Sequence, residues 1–250
     1  MSDTAQGTIE GAVALVTGAN RGIGAAFVEG LLAAGARRVY AAARSPQALI
    51  EAARRDARIV SVQLDITDDA SVRTATGQLP DLTLLVNNAG VSFPQHLLAA
   101  SALDAARREM DVNYFGLLRV SQALAPALAA NGGGAIINVL SILSRVPLPA
   151  VASYSASKAA ALSLTQSLRA ALRPQGTRVI AVMPGFVETD MTEGVEAAKI
   201  SPAEVVRAAL DAARTGEEDV YPGETASQVA RQLLQDPKAV ERVFAGMLRA

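Results

Sequence analysis

The chain has 250 residues, half of them hydrophobic, and a formal net charge of −1 at neutral pH. This length and composition suit one α/β domain with a buried core, and the scattered Lys and Arg residues exclude the basic patch of a nucleic-acid-binding protein. Cysteine is absent, which excludes a disulfide framework, a thiolate nucleophile and a zinc–thiolate site.

Seven short apolar segments are predicted to be strands. In chain order they are Val13–Val16, Arg38–Ala42, Arg58–Gln63, Leu82–Val86, Ala135–Leu140, Thr177–Val182 and Asp219–Tyr221. Alanine-rich segments with helical periodicity lie between them. The predicted helices are Gly22–Ala34, a short one after Ser45, Asp69–Gly77, Leu103–Ala129, Ala152–Leu172, one that begins at Ser201-Pro202, and two after Gly223.

The predicted strands are continuous apolar runs, which is typical of strands buried on both faces. Their alternation with helices predicts an α/β fold, a doubly wound and mostly parallel sheet of about seven strands with helices on both faces. We expect one domain over residues 1–250, with a cofactor-binding half at about 10–130 and a catalytic and substrate-binding part at about 131–250.

A glycine-rich turn follows the first predicted strand and leads directly into a helix. Its sequence is Thr17-Gly18-Ala19-Asn20-Arg21-Gly22-Ile23-Gly24. Glycines let such a turn close tightly and let the backbone approach a pyrophosphate at the helix N-terminus. The turn therefore predicts a nucleotide site, although the spacing G-x-x-x-G-x-G by itself also suits an ordinary turn between a strand and a helix.

Tyr154 and Lys158 are separated by four positions near the start of a predicted helix, so they share one helix face. A free phenol has a pKa of about 10, and a nearby ammonium favours the phenolate. We therefore expect Lys158 to lower the pKa of Tyr154 toward the working range of an acid–base catalyst. The pattern Tyr-x-x-x-Lys alone is common and carries little weight.

Together these motifs resemble the short-chain dehydrogenase/reductase family, from Thr17 to about Met191. The resemblance implies a Rossmann-type fold, oxidoreductase activity and the catalytic residues Asn113, Ser141, Tyr154 and Lys158. In that family the tyrosine donates a proton to the substrate oxygen as hydride reaches the carbon. The serine hydrogen-bonds that oxygen, and the asparagine holds a water that links the lysine to solvent.

Two serines compete for the serine role. Ser141 precedes Tyr154 by thirteen residues, the interval seen in the resembling family, whereas Ser144 is favoured as a turn residue. The family often has Ser-Ser where this chain has Leu140-Ser141, a departure that leaves the aligned hydroxyl in place.

The resemblance also implies a set of cofactor-binding residues. They are Gly18, Asn20, Arg21, Gly22, Ile23, Gly24, Arg44, Asp65, Ile66, Asn88, Ala89, Gly90, Tyr154, Lys158, Pro184, Gly185, Val187 and Thr189. Asp65 matches the residue that contacts the adenine, Asn87-Asn88-Ala89-Gly90 matches the NNAG motif, and the segment Pro184–Thr189 borders the nicotinamide.

The end of the second strand indicates which nicotinamide cofactor is preferred. An acidic residue there accepts hydrogen bonds from the ribose 2′-hydroxyl of NAD, but this strand ends in Tyr40-Ala41-Ala42-Ala43 and is followed by Arg44. The resemblance implies that Arg44 and Arg21 lie beside the adenosine ribose, and guanidinium groups suit a phosphate. We therefore expect NADP(H), the alternative being that both arginines are solvated surface residues.

The substrate is expected to be a small molecule, a neutral ketone or aldehyde with a hydrophobic substituent. The candidate substrate-binding residues are Ser141, Leu143, Leu148, Tyr154 and Phe186. Val91, Phe93 and Val195 are further apolar candidates. The lone histidine, His96, is interpreted as a solvated loop residue, and no cluster of His, Asp or Glu has metal-ligand spacing.

Two alternative functions remain. A 3-oxoacyl-(acyl-carrier-protein) reductase would need a basic surface near the pocket to hold an acidic carrier, and the sequence indicates none. A non-enzymatic NADP(H)-sensing regulator should lack part of the catalytic set, whereas all four residues are present.

The long predicted helices Leu103–Ala129 and Ala152–Leu172 are small and apolar around much of their circumference. They are either covered by the C-terminal segment or assemble as a homodimer or homotetramer, which the resemblance favours. Met1–Gly11 lacks the features of a signal peptide, and no apolar run reaches the ~18 residues of a membrane span. We therefore expect a cytoplasmic protein with no membrane partner.

Overall fold

The computed structural model describes residues 9–247, in which seven strands form one parallel sheet. The strands are β1 Val13–Thr17, β2 Arg38–Ala43, β3 Ile59–Gln63, β4 Leu84–Asn87, β5 Ala135–Val139, β6 Arg178–Val182 and β7 Asp219–Val220. Their order in the sheet is β3-β2-β1-β4-β5-β6-β7. The predicted doubly wound parallel sheet is therefore confirmed, with strand ends displaced by one or two residues.

Helices alternate with the strands along the chain. They are α1 Gly22–Ala33, α2 Gln47–Arg55, α3 Asp69–Thr76, α4 Ala102–Met110, α5 Leu117–Ala130, α6 Ala152–Leu172, α7 Pro202–Thr215, α8 Glu224–Gln235 and α9 Pro237–Ala245. Local sequence explains where two of them begin. Asp68 caps α3 by accepting the N–H of Ala70, and Ser201 forms a reciprocal capping box with Glu204 at the start of α7.

Both faces of the sheet are buried because successive strand residues point to opposite sides. In β1, Ala14 and Val16 pack in the cluster that contains Phe27 of α1. Val13 and Leu15 pack on the other face, in the cluster that contains the buried leucines of α5. This two-sided burial is the physical reason that the strands are apolar throughout.

The long helix predicted over Leu103–Ala129 is interrupted. Between α4 and α5 the backbone forms one π-helical stretch, Asp111–Gly116. The predicted helical span is confirmed, since all three pieces are helical and contiguous, but the π-helical stretch was not predicted because a π-turn leaves no periodic signal. Such stretches are frequent at functional sites, and this one contains Asn113.

The sheet order places a crevice at its centre. β1 pairs with both β2 and β4, so successive crossovers leave in opposite directions from this point. In doubly wound sheets the crevice outside the carboxyl ends of the strands at such a point holds the ligand. None of the helices that the structure describes has both the length and the apolar character required to cross a membrane.

Candidate active site

A cleft of about 330 Å³ lies at the carboxyl ends of the central strands. It is lined by Gly18, Asn20, Arg21, Gly22, Ile23, Ala43, Arg44, Ser45, Leu64, Asp65, Ile66, Thr67, Asn88, Ala89, Gly90, Val91, Val112, Val139, Leu140, Tyr154, Lys158, Thr189, Asp190 and Met191. Most of the residues expected to bind a cofactor, and two of the four expected to be catalytic, therefore border one space.

The glycine-rich turn is packed too closely to accept side chains. A Cβ atom on Gly18 would lie 2.9 Å from the Cα of Ala89, and one on Gly24 would overlap the carbonyl oxygen of Gly18. Gly18 also has a φ of +64°, in the region that favours glycine. The turn therefore has no side chain at Gly18 or Gly24, which leaves the backbone uncovered at the N-terminus of α1.

Asn88 and Thr17 attach this turn to the strand beside it. The Asn88 side-chain amide donates to the carbonyl oxygens of Thr17 and Gly18 at 2.9 and 3.1 Å. The Thr17 hydroxyl accepts the backbone N–H groups of Asn88 and Ala89 at 3.0 and 3.1 Å. The bare turn, the helix N-terminus and the small residues after β4 fit a dinucleotide pyrophosphate.

The opposite wall carries the residues expected near the adenosine. Asp65 accepts the N–H and the hydroxyl of Thr67 at 2.9 and 2.7 Å. Partial burial raises the pKa of Asp65, but the Thr67 hydrogen bonds and the charge of Arg44 outweigh that effect and leave the pKa lowered. Arg21 forms an ion pair with Asp190 at 2.6 Å, and both side chains are well exposed.

Lys158 lies on α6 and is almost completely buried, with 5% of its surface exposed. Its Nζ donates a hydrogen bond to the carbonyl oxygen of Val139 at 2.9 Å and lies 5.8 Å from the centroid of the Tyr154 ring. Burial lowers the pKa of Lys158 to about 8, since loss of hydration disfavours the charged form.

The pKa of Tyr154 moves in the direction opposite to the expectation. Burial raises it to about 12, the hydrogen bond with Ser141 lowers it, and the negative charge of Glu109 raises it. The prediction of a pKa near the working range was therefore wrong for the structure, because loss of hydration dominates, whereas the effect of Lys158 on this pKa stays a prediction. At neutral pH the phenol keeps its proton.

Ser141 follows β5 and is buried, with its Oγ accepting the N–H of Leu143 at 3.1 Å. The Ser141 hydroxyl is near enough to that of Tyr154 to lower the pKa of the phenol by hydrogen bonding. Ser144 is also buried, but its hydroxyl has no hydrogen-bond partner among the described residues.

Asn113 lies in the π-helical stretch and is buried. Its side-chain oxygen accepts the N–H of Val91 at 2.9 Å, and its nitrogen donates to the carbonyl oxygen of Val91 and to the hydroxyl of Ser157, both at 2.9 Å. Its amide thus joins α6 to the segment after β4, and its expected role in holding a water stays a prediction.

The remaining predicted residues lie outside the lining of this cleft. Leu143 packs in an apolar cluster with Val229 and Val240 of the C-terminal helices, and Leu148 packs against that cluster. Phe186 is half-buried. Their assignment to a substrate pocket stays a prediction.

Four of the predicted cofactor residues also fall outside the lining: Gly24, which packs against Gly18 in the turn, and three residues after β6. Pro184 accepts the N–H of Ile142 through its carbonyl oxygen, Val187 packs in the core, and Gly185 lies between them. Their expected place beside the nicotinamide remains a prediction.

One residue near the site was missed by sequence reasoning. Glu109 is completely buried in the last turn of α4, and one of its oxygens accepts the N–H of Phe93 at 2.7 Å. It precedes Asn113 by four positions, which places the two on one helix face. This four-residue spacing from Asn113 was the sequence signal that could have indicated Glu109.

Comparison with known proteins agrees with this geometry. The family model described as short chain dehydrogenase matches residues 12–200. A short chain dehydrogenase from Burkholderia cenocepacia, solved in complex with NADP, is similar with a TM-score of 0.90 and 48% identity, over 97% of this chain and 100% of that chain.

Two curated relatives have more specific descriptions. The 3-oxoacyl-[acyl-carrier-protein] reductase of Synechocystis sp. is 33% identical over 196 residues, covering 75% of this chain and 79% of that protein. The sorbitol dehydrogenase of Cereibacter sphaeroides is 37% identical over 194 residues, covering 76% and 75%. The chain belongs to the short-chain dehydrogenase/reductase family. Within that family it is a nicotinamide-dependent oxidoreductase with a small-molecule substrate.

Proposed function

We propose that the protein is an NADP(H)-dependent alcohol dehydrogenase or carbonyl reductase that acts on a ketone or aldehyde with a hydrophobic substituent. The observation that carries this proposal is the single cleft that joins the bare glycine turn to Tyr154 and Lys158. The division into a cofactor-binding half, about 10–130, and a catalytic part, about 131–250, follows the same arrangement.

Tyr154 is the proposed proton donor to the carbonyl oxygen. Its phenol is protonated at neutral pH and is therefore available as a donor during reduction, and the nearby ammonium of Lys158 would offset the weakening of this acid by burial. Ser141, hydrogen-bonded to Tyr154, would donate to the same oxygen as negative charge develops on it. When bound, the nicotinamide supplies or accepts the hydride at the substrate carbon.

Lys158 and Asn113 are proposed to support the proton transfer. The ammonium is buried close to the phenol and would stabilise the phenolate that remains after the proton leaves. Because the Asn113 amide is already bonded to Val91 and Ser157, we assign the water-holding role to its backbone carbonyl in the π-helical stretch.

The preference for NADP(H) rests on the charges of the cleft. Ala43, Arg44 and Ser45 line it where β2 ends, and none of them carries a carboxylate. Arg21 also lines the cleft, and its exposed ion pair with Asp190 is weak enough to be exchanged for a phosphate. The similar structure solved with NADP supports the same preference.

NADPH oxidation against a panel of ketones, aldehydes and β-ketoesters tests the function. Tyr154→Phe, which keeps the ring and removes the hydroxyl, should reduce kcat about 10²–10⁴-fold, the usual contribution of a positioned acid. Cofactor affinity should change little. Wild-type turnover in that variant would refute the proposal, and activity confined to acidic or phosphorylated carbonyls would refute the substrate class.

The alternative activity is reduction of a 3-oxoacyl group carried by acyl carrier protein. The Synechocystis relative has that description, which favours including β-ketoacyl thioesters in the panel. A preference for the carrier-bound thioester over the same group on a small thiol would support this alternative, because only the carrier distinguishes the two.

We also propose that the protein forms a homodimer or homotetramer through the surface of α4 and the π-helical stretch. Leu103 and Phe115 are 60% and 45% exposed there, and they border an apolar groove with Met110. Light scattering of the wild type and of Phe115→Arg tests this assembly. A wild-type monomer at all concentrations would refute it.

A further inference from the structure

Two charged side chains are buried among the residues that the structure describes, Lys158 and Glu109. Lys158 belongs to the proposed machinery, whereas Glu109 has no role in it. Its Oε2 is buried without a hydrogen-bond partner in the described part of the chain. Burial of a carboxylate oxygen in this state costs free energy, so the position calls for a compensating role.

The first contact of Glu109 fixes the chain that follows β4. Its Oε1 accepts the backbone N–H of Phe93 at 2.7 Å, and the guanidinium of the neighbouring Arg108 lies 4.0 Å from the centroid of the Phe93 ring. One helical turn further, the Asn113 amide bonds both the N–H and the carbonyl of Val91 at 2.9 Å. Val91 and Phe93 are thus both held by hydrogen bonds from side chains on one helix face.

This fastened segment borders the reacting groups. A Cβ atom on Gly90 would lie 3.2 Å from Oδ1 of Asn113 and 3.4 Å from Nζ of Lys158, and Val91 lines the cleft. The segment Gly90–Phe93 therefore leads from the lysine along the wall of the site. Releasing Phe93 would let that wall move.

The charge of Glu109 also reaches the phenol. Besides burial, Ser141 from the end of β5 and Glu109 from α4 act on the pKa of Tyr154, and Nζ of Lys158 lies 5.8 Å from the centroid of its ring. The negative charge of Glu109 raises the pKa of Tyr154, opposing the effect of a neighbouring cation.

We propose that Glu109 is a positioning residue for this reaction, fixing Val91–Phe93 as the substrate-side wall of the cleft. The inference rests on the proposed role of Tyr154 as proton donor. It differs from that role because Glu109 does not touch the reacting atoms.

The two effects of Glu109 are separated by two substitutions. Glu109→Gln keeps an oxygen that can accept the Phe93 N–H and removes the charge, whereas Glu109→Met removes both. Arg108→Leu disturbs Phe93 from an exposed position, and Asp104→Asn, exposed on the same helix, is the control for a lost carboxylate. The measurements are kcat and substrate KM from pH 5 to 10 in both directions, with cofactor KM alongside.

Because the pKa of Tyr154 lies above the measured range, we expect Glu109→Gln to speed alcohol oxidation throughout pH 5–10, as a pKa lowered by roughly half a unit to one unit would do. This makes oxidation about 3–10 times faster, since each unit is tenfold in the phenolate fraction. Its substrate KM should stay within about twofold. Glu109→Met should show the same change in pH profile together with a substrate KM raised about fivefold or more. Arg108→Leu should raise the substrate KM without changing the pH profile. Asp104→Asn should change neither quantity.

A pH profile of Glu109→Gln equal to that of Asp104→Asn would overturn the charge effect, and an unchanged substrate KM in Glu109→Met would overturn the positioning effect. If neither Glu109 variant folds, Arg108→Leu decides, and an unchanged KM there overturns the inference. Tyr154→Phe distinguishes failure of the proposed function from failure of the inference on Glu109. If Tyr154→Phe loses activity and the pH profile of Glu109→Gln is unchanged, only the role of Glu109 is refuted. Full activity in Tyr154→Phe refutes both.

Discussion

Replacing Gly24 by alanine tests whether the glycine turn is a close-packed cradle, and the structure gives the size of the effect. The new Cβ would overlap the Gly18 carbonyl oxygen and lie 2.6 Å from Nδ2 of Asn88. Overpacking of this kind costs about 1–3 kcal/mol. The Asn88 amide would also lose hydrogen bonds to Thr17 and Gly18, each contributing about 0.5–1.5 kcal/mol.

We therefore expect Gly24→Ala to lower the free energy of unfolding by about 2–6 kcal/mol, which corresponds to a fall in Tm of roughly 4–24 °C for a chain of this size. Cofactor affinity should fall as well, because the displaced turn no longer presents its backbone to the pyrophosphate. Thermal unfolding by circular dichroism and NADPH titration by fluorescence measure the two effects.

Gly246→Ala is the matched control. Gly246 has an ordinary helical φ of −67°, and an added Cβ would meet its nearest neighbour at 3.4 Å. This variant should be neutral or slightly more stable, since alanine restricts the unfolded chain. If Gly24→Ala matched this control in both Tm and NADPH affinity, the close packing of the turn would carry no energetic weight and the reasoning would be refuted.

Three further predictions follow from single residues. Arg44→Asp should shift the ratio of kcat/KM for NADPH over NADH toward NADH by at least tenfold, because a carboxylate repels the 2′-phosphate and accepts from a 2′-hydroxyl; an unchanged ratio would contradict the assignment. Lys158 has a pKa of about 8 folded against 10.5 for the free side chain, so the unfolded chain binds more protons between these values and stability should rise with pH there. Tm measured from pH 7.5 to 10 should show this rise in the wild type and lose it in Lys158→Met. Asn138→Ala removes a buried amide that accepts from Asn87 and donates to Thr165, both at 2.9 Å; urea unfolding should show a loss of about 2–4 kcal/mol, and a loss below about 0.5 kcal/mol would count against the network.

The pKa of Tyr154 depends on several parts of the fold. Burial raises the pKa of its phenol above that of a free phenol, the hydrogen bond with Ser141 lowers it, and the charge of Glu109 raises it. A single pair of residues read along one helix suggested the reverse. The proton is therefore controlled by several elements and not by the Tyr-x-x-x-Lys spacing alone.

The parts of the molecule that were predictable depend on local pattern. Strands buried on both faces must be apolar throughout, so β1 and its neighbours were visible as runs of Val, Leu and Ile. The glycine turn was visible because its shape and its close approach to Ala89 tolerate no side chain. Any two residues four positions apart on a helix share one face, so the proximity of Tyr154 and Lys158 was predictable. The resemblance then pointed to Ser141 and Asn113.

The sequence by itself determined the order of the elements, the glycine turn and the shared helix face of Tyr154 and Lys158, since each follows from neighbours within a few residues along the chain. The resemblance of the sequence to a family added Ser141 and Asn113. The tertiary structure alone decided the π-helical stretch at Asp111–Gly116, the contact of Glu109 with Phe93 and the direction of the pKa of Tyr154. These features arise where α4, α6 and the segment after β4 meet. Burial and charge at such a junction depend on distance in space, which no local pattern records.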